Sequence, residues 1–442
     1  MSPVLSYPTE ILGAADFPVH RILRRNVKVR IHRGCHEIGG SCVEVSSQGK
    51  RLVLDVGKPL SAGWDEHVTL PSVPGLAAGD PSVLGVLISH GHLDHYGLID
   101  QVAPTVPVLC GRAAADVVNA ARFFSPGPAL SPTACFQDHV PMSLGPFTVT
   151  PILVDHSAYD AYALIIDADG QRLFYTGDLR GHGRKAGTFE RLLAEPPRGV
   201  GTLLMEGTHV PGEAPGDAEP VMPTEHDVER DMTQTFLETS GAALVLSSAQ
   251  NVDRLVTVYR AARAAGRTLV MDLYTATVAT ATGRASIPRP GFPGVGVYLP
   301  RRQRTHIVRS GEFARTTQIR PFRVFPEQLR ADPKQFVVLT SSSAALELLE
   351  LGTLDDGVAV WSLWSGYLQE PSGQRLQALL DKHEVPLVEH HTSGHASITD
   401  LRRLVDAVKP ERVVPIHTKG AQQYAQHFTG TSAHADGDWW AA

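Results

Sequence analysis

The segment LISHGHLDHYG, residues 87–97, gathers His90, His92, Asp94 and His95 within six residues. It follows an apolar, β-branched run at residues 83–88, which predicts a turn from a strand into a helix. Imidazole and carboxylate groups collected at such a turn suit Zn²⁺ or Mn²⁺. The i, i+2 spacing of His90 and His92 points both rings at one ion, so that Asp94 and His95 face a second.

Around this segment, the first half of the chain is rich in predicted strands, at residues 27–31, 52–56, 83–88, 147–154, 163–166 and 173–175. A Pro-, Gly- and acid-rich stretch at 210–223 predicts a linker or an exposed loop. A helix at 227–237, a strand at 242–246, a helix at 251–264 and a strand at 268–272 then alternate, as is typical of a parallel α/β unit. We expect irregular structure at 283–332, a strand from Phe336, and a strand, a helix and a strand after Leu387, ending with 412–416.

Composition narrows the class of protein. The 442 residues are 43% hydrophobic and 19% charged, enough for two domains with their own cores. No run reaches the ~18 apolar residues of a membrane span, so we expect a cytoplasmic protein without a membrane partner. Four cysteines without CxxC spacing favour reduced thiols: Cys35, Cys42, Cys110 and Cys135. The net charge of -6 argues mildly against indiscriminate binding to polyanions, although a basic channel would escape this average.

Further motifs follow in an order that resembles the metallo-β-lactamase superfamily. Asp55 in LVLDVG matches its first motif, HGHLDH the second, His156 in VDHSAYDAYALII the third and Asp178 in FYTGDLR the fourth. Each lies at the end of a predicted strand, which makes coincidence a poor explanation.

Three later motifs resemble those of the β-CASP nucleases, the group that contains ribonuclease J and the endonuclease of eukaryotic mRNA 3′-end processing. They are Glu206 in LLMEGTH, His395 in HTSGHAS and His417 in VVPIHT, and SSAQNVDRL at 247–255 resembles the turn that opens the inserted domain of this group. The resemblance implies an α/β fold, a metallo-β-lactamase αββα sandwich with an inserted β-CASP α/β domain. We expect the sandwich at 1–207 and 386–442 and the insert at 208–385.

The resemblance also implies roles for these residues. One divalent ion would be held by His90, His92, His156 and Asp178, and a second by Asp94, His95, Asp178 and His417. Asp178 would bridge the two ions, for which Zn²⁺ is expected before Mn²⁺, and Asp55 would orient ligands by hydrogen bonding. The expected catalytic residues are Asp94, His395 as the general acid, and Glu206, which poises it.

Several polar groups are candidates for binding substrate phosphates. Arg180, His182, Arg184 and Lys185 follow Asp178, and in the ribonuclease J branch the loop that corresponds to HTSGHAS helps to hold a 5′-monophosphate, which implies His391 and Ser393 here. A tight turn that needs Gly394 and a capping Ser397 explains the same loop. The insert carries an arginine cluster that could follow a nucleic-acid backbone or form a solvated face: Arg301, Arg302, Arg304, Arg309, Arg315, Arg320 and Arg323.

The aromatic residues of WSLWSGYL, Trp361, Trp364 and Tyr367, are interpreted as core, with base stacking as the alternative.

Two departures from ribonuclease J stand out: TSSS at 340–343 replaces an SQGE-like turn, and the chain stops soon after His417 without a further C-terminal domain. Membership in the wider group is therefore expected more firmly than identity with that enzyme.

The leading interpretation is a metal-dependent phosphodiesterase that cleaves nucleic acid, RNA rather than DNA, with single-stranded RNA as the favoured partner. Exonuclease action from the 5′ end is barely favoured over endonuclease action, and the chain could form a homo-oligomer. Two alternatives stay open. One is a hydrolase of the same fold acting on a small phosphodiester or another small molecule, and the other is a catalytically silent nucleic-acid-binding subunit.

Overall fold

The computed structural model describes residues 27–63, 66–211 and 221–442. The predicted linker at 210–223 lies largely outside these ranges, as do the first 26 residues of the predicted first domain. Strand prediction in the first half is confirmed, with bounds shifted by at most two residues. A seven-stranded sheet has the order β19-β1-β2-β3-β4-β5-β6. Its strands are β1 Lys28–Arg33, β2 Cys42–Ser47, β3 Lys50–Leu54, β4 Val83–Leu87, β5 Val108–Gly111, β6 Ala134–Phe136 and β19 Trp439–Ala441.

A second sheet of six strands has the order β18-β11-β10-β9-β8-β7. It contains β7 Met142–Leu144, β8 Phe147–Leu153, β9 Tyr162–Ala168, β10 Gln171–Tyr175, β11 Thr202–Glu206 and β18 Arg412–Ile416. The helices of this part of the chain are α1 Leu93–Tyr96, α2 Arg112–Ala121, α3 Ala186–Ala194, α12 Ile398–Val408 and α13 Tyr424–His427, with a 3₁₀ turn at Ile99–Gln101.

Alternating side chains pack the two sheets into a sandwich. On β3, Leu52 and Leu54 face a core shared with the second sheet, whereas Val53 faces a core shared with α2. The opposite face of the second sheet is covered by α3 and α12, through Phe189 and Leu401. The result is four layers, α, β, β and α, which confirms the fold class predicted from the motifs.

The inserted part builds a third sheet in which every pairing is parallel, in the order β14-β13-β15-β12-β16-β17. Its strands are β12 Ala243–Leu246, β13 Thr268–Asp272, β14 Val295–Tyr298, β15 Phe336–Thr340, β16 Val358–Trp361 and β17 Leu387–Glu389. Its helices are α4 Glu225–Glu238, α5 Val252–Ala264, α6 Leu273–Ala281, α7 Arg301–Ser310, α8 Ala314–Thr317, α9 Pro326–Ala331, α10 Ser342–Glu350 and α11 Pro371–Lys382, with 3₁₀ turns at Arg320–Phe322, Pro333–Gln335 and Ser365–Gln369. Helices α4, α5 and α6 cover one face, and α10 and α11 cover the other.

One expectation needs correction, and a second stays a prediction. Residues 283–332 are not irregular, because they contain β14, α7, α8 and α9. Helix α7 buries only Ile307, so it lacks the apolar stripe by which helices are recognised in a sequence, although Gly311 ends it in the left-handed conformation at φ 74°. The second concerns the domain boundary: β17 pairs with β16 in the third sheet, which favours a boundary after Glu389 rather than after residue 385.

A buried charge network joins the sandwich to the insert. Arg180 follows β10 in the sequence. Its guanidinium lies 2.7 Å from a carboxylate oxygen of Asp253 on α5 and 3.4 Å from a carboxylate oxygen of Asp155. Next to it, Arg254 lies 3.0 Å from Glu225 and also donates to Ser362. Buried charges are costly unless they are paired, so each of these groups depends on its partners across the junction.

Replacing Arg180 should therefore destabilise the protein. Arg180→Ala leaves the buried Asp155 without its cation, and we expect a loss of about 3–5 kcal/mol in the free energy of unfolding, measured by urea denaturation. The matched control is Arg230→Ala, which removes an exposed arginine paired with Asp227 and should leave the unfolding midpoint unchanged. An Arg180→Ala protein as stable as the parent would show that the network does not hold the junction together.

Candidate metal centre

The predicted ligands converge because each lies at or just beyond the carboxyl end of a strand. They follow β4, β8, β10 and β18, and Glu206 is the last residue of β11. Since β10, β11 and β18 are neighbours with parallel pairing, Asp178, Glu206 and His417 emerge at one edge of the second sheet. The turn after β4 carries His90 to His95 to the same place.

Two groups of side chains meet there around a shared carboxylate. His90, His92, His156 and Asp178 form one group, and Asp94, His95, Asp178 and His417 form the other. Within each group, the candidate ligand atoms lie within 4.8 Å of one another. Oδ2 of Asp178 is 3.1 Å from His95 Nε2, 3.6 Å from His90 Nε2 and 4.0 Å from His156 Nε2. The grouping is the one expected for the two ions.

The polar atoms at the centre are buried and have no hydrogen-bond partner within the described chain. This holds for His90 Nε2, His95 Nε2 and both carboxylate oxygens of Asp178. Leaving such atoms unpaired costs free energy, so their presence here indicates a missing partner. Nitrogen and oxygen donors arranged around one point fit a divalent cation.

The charge states of His90, His92 and Asp178 also suit a cation. Burial, together with the neighbouring His95 and His156, lowers the pKa of His90 well below its ordinary value. Burial lowers the pKa of His92 to about 4. Burial raises the pKa of Asp178, but His417 and His95 outweigh it and hold that pKa well below its usual range. Neutral imidazoles and an ionised carboxylate are the forms that bind metal ions.

Asp55 supports this cluster from behind. Its carboxylate accepts hydrogen bonds from Ser89 N at 2.7 Å and from the Tyr175 hydroxyl at 2.6 Å, and it lies 2.8 Å from His95 Nδ1. Asp55 itself adopts a positive φ of 59°, which few residue types other than Gly, Asn and Asp tolerate well. The His95 ring is thereby oriented with Nε2 toward Asp178.

A second support comes from the SGHAS loop. Nδ1 of His156 bonds to Gly394 O at 2.5 Å. A Cβ at residue 394 would lie 2.5 Å from the Ser157 hydroxyl, so only glycine allows this approach. Ser397 caps helix α12 through Asp400 N, which confirms the helix predicted to start there.

His395 and Glu206 lie beside the metal ligands. Nδ1 of His395 is 3.4 Å from Glu206 Oε1 and 3.1 Å from Thr208 Oγ1, and Glu206 is fully buried. Burial lowers the pKa of His395, but Glu206 and Asp178 outweigh burial and raise it to about 9. Glu206, His395 and His417 also form a third group with the spacing of metal ligands. A protonated His395 at neutral pH is therefore held at the edge of the cluster.

Four of the predicted phosphate contacts are less well placed. Arg180 is fully buried and its guanidinium is bonded to carboxylates and to Ser393 O, so a direct phosphate contact does not fit its position. Burial lowers the pKa of both His182 and His391 to about 4, which leaves neutral rings. The Ser393 hydroxyl is engaged by His209 and by His395 N. The spacing of a motif does not reveal such internal partners.

Three residues of the site were not found by sequence reasoning. Ser89, Tyr175 and Thr208 are hydrogen-bonded to Asp55, His90, His395 or His417. Each lies within three residues of a motif residue in the sequence, and this proximity is the signal by which it could have been predicted.

In the structure, only some arginines of the predicted cluster line a common groove. Arg301, Arg302 and Arg309 on α7 line a groove of about 1140 Å³, together with Arg122. Its aromatic lining comes from Phe123, Phe124 and Tyr274. Gln250 donates to the hydroxyl of Tyr274, which lines the groove, at 2.9 Å. Gln250 also lines a small recess together with His92. The groove therefore approaches the metal centre. The other arginines do not line it: Arg304, Arg315, Arg320 and Arg323.

The carboxylate of Asp55 should set the affinity for metal. Asp55→Asn keeps the shape and tolerates the positive φ but removes the charge that fixes His95, and we expect metal binding to weaken 10- to 100-fold, measured by competition with a chelator. Glu44→Gln is the matched control, a buried carboxylate on β2 paired with His32 and Arg51, and should bind metal like the parent. Unchanged affinity in Asp55→Asn would contradict the supporting role.

Comparison with known protein families agrees with this geometry. A family described as "Beta-lactamase superfamily domain" matches residues 60–220, and one described as "Zn-dependent metallo-hydrolase RNA specificity domain" matches residues 388–432. The first match spans the ligands from His90 to Asp178, and the second spans His395 and His417. Among the described residues, no helix is long and apolar enough to cross a membrane.

Similar proteins lead to the same group. Ribonuclease J of Sinorhizobium meliloti is 24% identical over 84% of this chain and 62% of its own length, and ribonuclease J of Mycobacterium tuberculosis is 25% identical over 87% and 67%. The chain thus spans about two thirds of the length of these relatives. A crystal structure of a protein of unknown function from Enterococcus faecalis V583 shares the fold, with a TM-score of 0.76 at 21% identity over 94% of this chain and 100% of that one. These matches support the assignment of the chain to the metallo-β-lactamase superfamily and, within it, to the β-CASP group that includes ribonuclease J.

Proposed function

We propose that this chain is a divalent-metal-dependent nuclease that hydrolyses phosphodiester bonds, with RNA rather than DNA as its substrate. The observation that carries the proposal is the pair of ligand groups that share the unpaired oxygens of Asp178. The match of residues 388–432 to an RNA specificity domain and the names of the relatives support RNA.

The residues that would hold the metal ions are those of the two groups. They supply five imidazoles and two carboxylates: His90, His92, His95, His156, His417, Asp94 and Asp178. Such a nitrogen-rich set favours Zn²⁺ over Mn²⁺, which prefers oxygen ligands. When bound, two ions activate water and stabilise the charge that develops at phosphorus.

The protein side chains perform the remaining tasks. Asp178 draws both ligand groups together, and Asp55 holds the His95 ring in one orientation. Glu206 and Thr208 hold Nδ1 of His395, so that Nε2 is the atom from which a proton passes to the leaving oxygen. The raised pKa of His395 keeps that proton in place at neutral pH until the phosphodiester bond breaks.

A small-molecule phosphodiesterase is the second candidate. It is favoured by one observation, namely that Arg180, His182 and His391 are buried or neutral rather than available as cations for a phosphate chain. The basic groove along α7 favours the polymer instead. A catalytically silent subunit would have no need of seven converging ligands.

Three substrates of one sequence test the proposal. The purified protein, with Zn²⁺ or Mn²⁺, is incubated with 5′-monophosphate RNA, circular RNA and the corresponding DNA. We expect cleavage of RNA ahead of DNA, abolished in Asp178→Ala. Cutting of the circle would assign internal cleavage, and mononucleotides released only from the 5′-monophosphate form would assign 5′-exonuclease action. Hydrolysis of small aryl phosphodiesters without any cleavage of nucleic acid would overturn the proposal in favour of the second candidate.

His395 and His417 should separate chemistry from metal binding. His395→Ala removes the proton donor and should lower kcat by ~10²–10⁴-fold while both metal ions stay bound, whereas His417→Ala should lose a metal ion. Activity is measured on RNA and metal content by elemental analysis of the same preparations. Full activity and full metal in both variants would show that neither role is correct.

The basic groove should matter only for long substrates. Reversing the charge of Arg301 and Arg302 should raise KM for an RNA oligonucleotide and flatten its dependence on salt, because fewer counterions are released on binding. Reversal of Arg330 and Lys334, which do not line the groove, is the matched control and should change KM little. Equal KM values for the two double variants would exclude the groove as a binding path.

A further inference from the structure

The WSLWSGYL segment separates into one buried and two exposed aromatic residues. Trp361, the last residue of β16, is 2% exposed and packs in the core of the insert. Trp364 is 62% exposed and Tyr367 is 45% exposed, both just beyond the carboxyl end of the strand. The core interpretation is therefore confirmed for Trp361 and wrong for the other two, which leaves a large exposed aromatic surface to explain.

These exposed rings are held in place although solvent surrounds them. A Cβ at Gly366 would lie 2.3 to 2.5 Å from three carbon atoms of the Trp364 indole, so the ring lies directly against the glycine backbone. Trp361 Nε1 donates to Trp364 O at 3.3 Å. The rings of Trp364 and Tyr367 meet edge to face, with centroids 5.4 Å apart and an interplanar angle of 85°. Such a rigid pair loses little conformational entropy when a ligand binds.

The segment that carries the pair is hydrogen-bonded to the loop that leads to the metal centre. Ser362 donates to His390 O at 2.6 Å and His390 N donates to Trp361 O at 3.0 Å, which ties this segment to the loop that carries His395.

A further apolar group flanks Asp94 from the sandwich side. A Cβ at Gly39 would lie 2.8 Å from Leu60 Cγ and 2.9 Å from Asp94 Cβ, which makes these two side chains neighbours. Leu60 is itself 60% exposed. An exposed apolar side chain of the sandwich therefore adjoins Asp94.

We propose that Trp364 and Tyr367 form a stacking platform that holds a nucleobase of the substrate strand at the entrance to the metal centre. The inference rests on the proposed nuclease function and adds the group that positions the strand. Every base has a flat aromatic face, so stacking would accept any sequence, as a general nuclease requires. A flat, exposed indole beside the loop that leads to His395 fits a base better than it fits an elongated protein surface.

The test compares a normal RNA oligonucleotide with an abasic one of the same length, which keeps the phosphates and lacks the bases. Binding is measured by fluorescence anisotropy in an Asp178→Ala background, which prevents turnover. Trp364→Ala should weaken binding of the normal oligonucleotide by roughly tenfold and leave the abasic one unchanged. Trp364→Phe should restore part of the loss, and binding of normal RNA should quench tryptophan fluorescence in Asp178→Ala but much less in the variant that also carries Trp364→Ala.

The matched control is Trp439→Ala, which removes another exposed tryptophan, on the edge strand β19, and should bind both oligonucleotides like the parent. Equal weakening of the two oligonucleotides in Trp364→Ala, or no weakening of either, would overturn the platform. A change of oligomeric state in Trp364→Ala without a change in RNA binding would also overturn it, in favour of a contact between copies of the chain. Failure of the unmodified protein to cleave RNA would instead overturn the proposed function.

Discussion

Everything in this structure is arranged around one buried carboxylate whose oxygens have no hydrogen-bond partner among the described residues. Asp178 lies among five imidazole rings at the strand ends of the sandwich, and the negative charge of its carboxylate can be balanced only by cations. Burying an anion without a balancing charge would cost more free energy than most single interactions contribute to stability. The cluster is therefore stable as a site for metal ions, and the two sheets serve to carry its ligands to one edge.

The same requirement explains why so much of the surroundings is polar. Asp55, Ser89 and Tyr175 are buried and Thr208 is partly buried, and each bonds to Asp55 or to a side chain of the cluster. Around them, the cores are apolar on both sides of each sheet. The rings are thus fixed by hydrogen bonds within a rigid frame, which is how a site keeps its geometry between turnovers.

The side chains that meet at the site could be predicted from the sequence better than the contacts of the residues around them. HGHLDH, Asp178 and His417 could be found because ligand chemistry restricts both the residue type and its position after a strand. Arg180 was misjudged, because a sequence does not tell whether an arginine next to a motif faces solvent or a buried carboxylate such as Asp253. Helix α7 was missed because its exposed, arginine-rich face conceals the helical period. Long-range pairing, such as that of β17 with β16, also leaves no local signal in the chain.

The order of the ligands along the chain has a consequence for folding during synthesis on the ribosome. Strand β18, which delivers His417, pairs with β11 across the whole insert, and β19 pairs with β1. The insert completes its own sheet by Glu389 and can acquire structure while the ribosome is still adding residues. The metal cluster has to wait for His417, because contacts so distant in sequence form late. A nascent chain would therefore carry a folded insert before the ligands of the metal centre are complete.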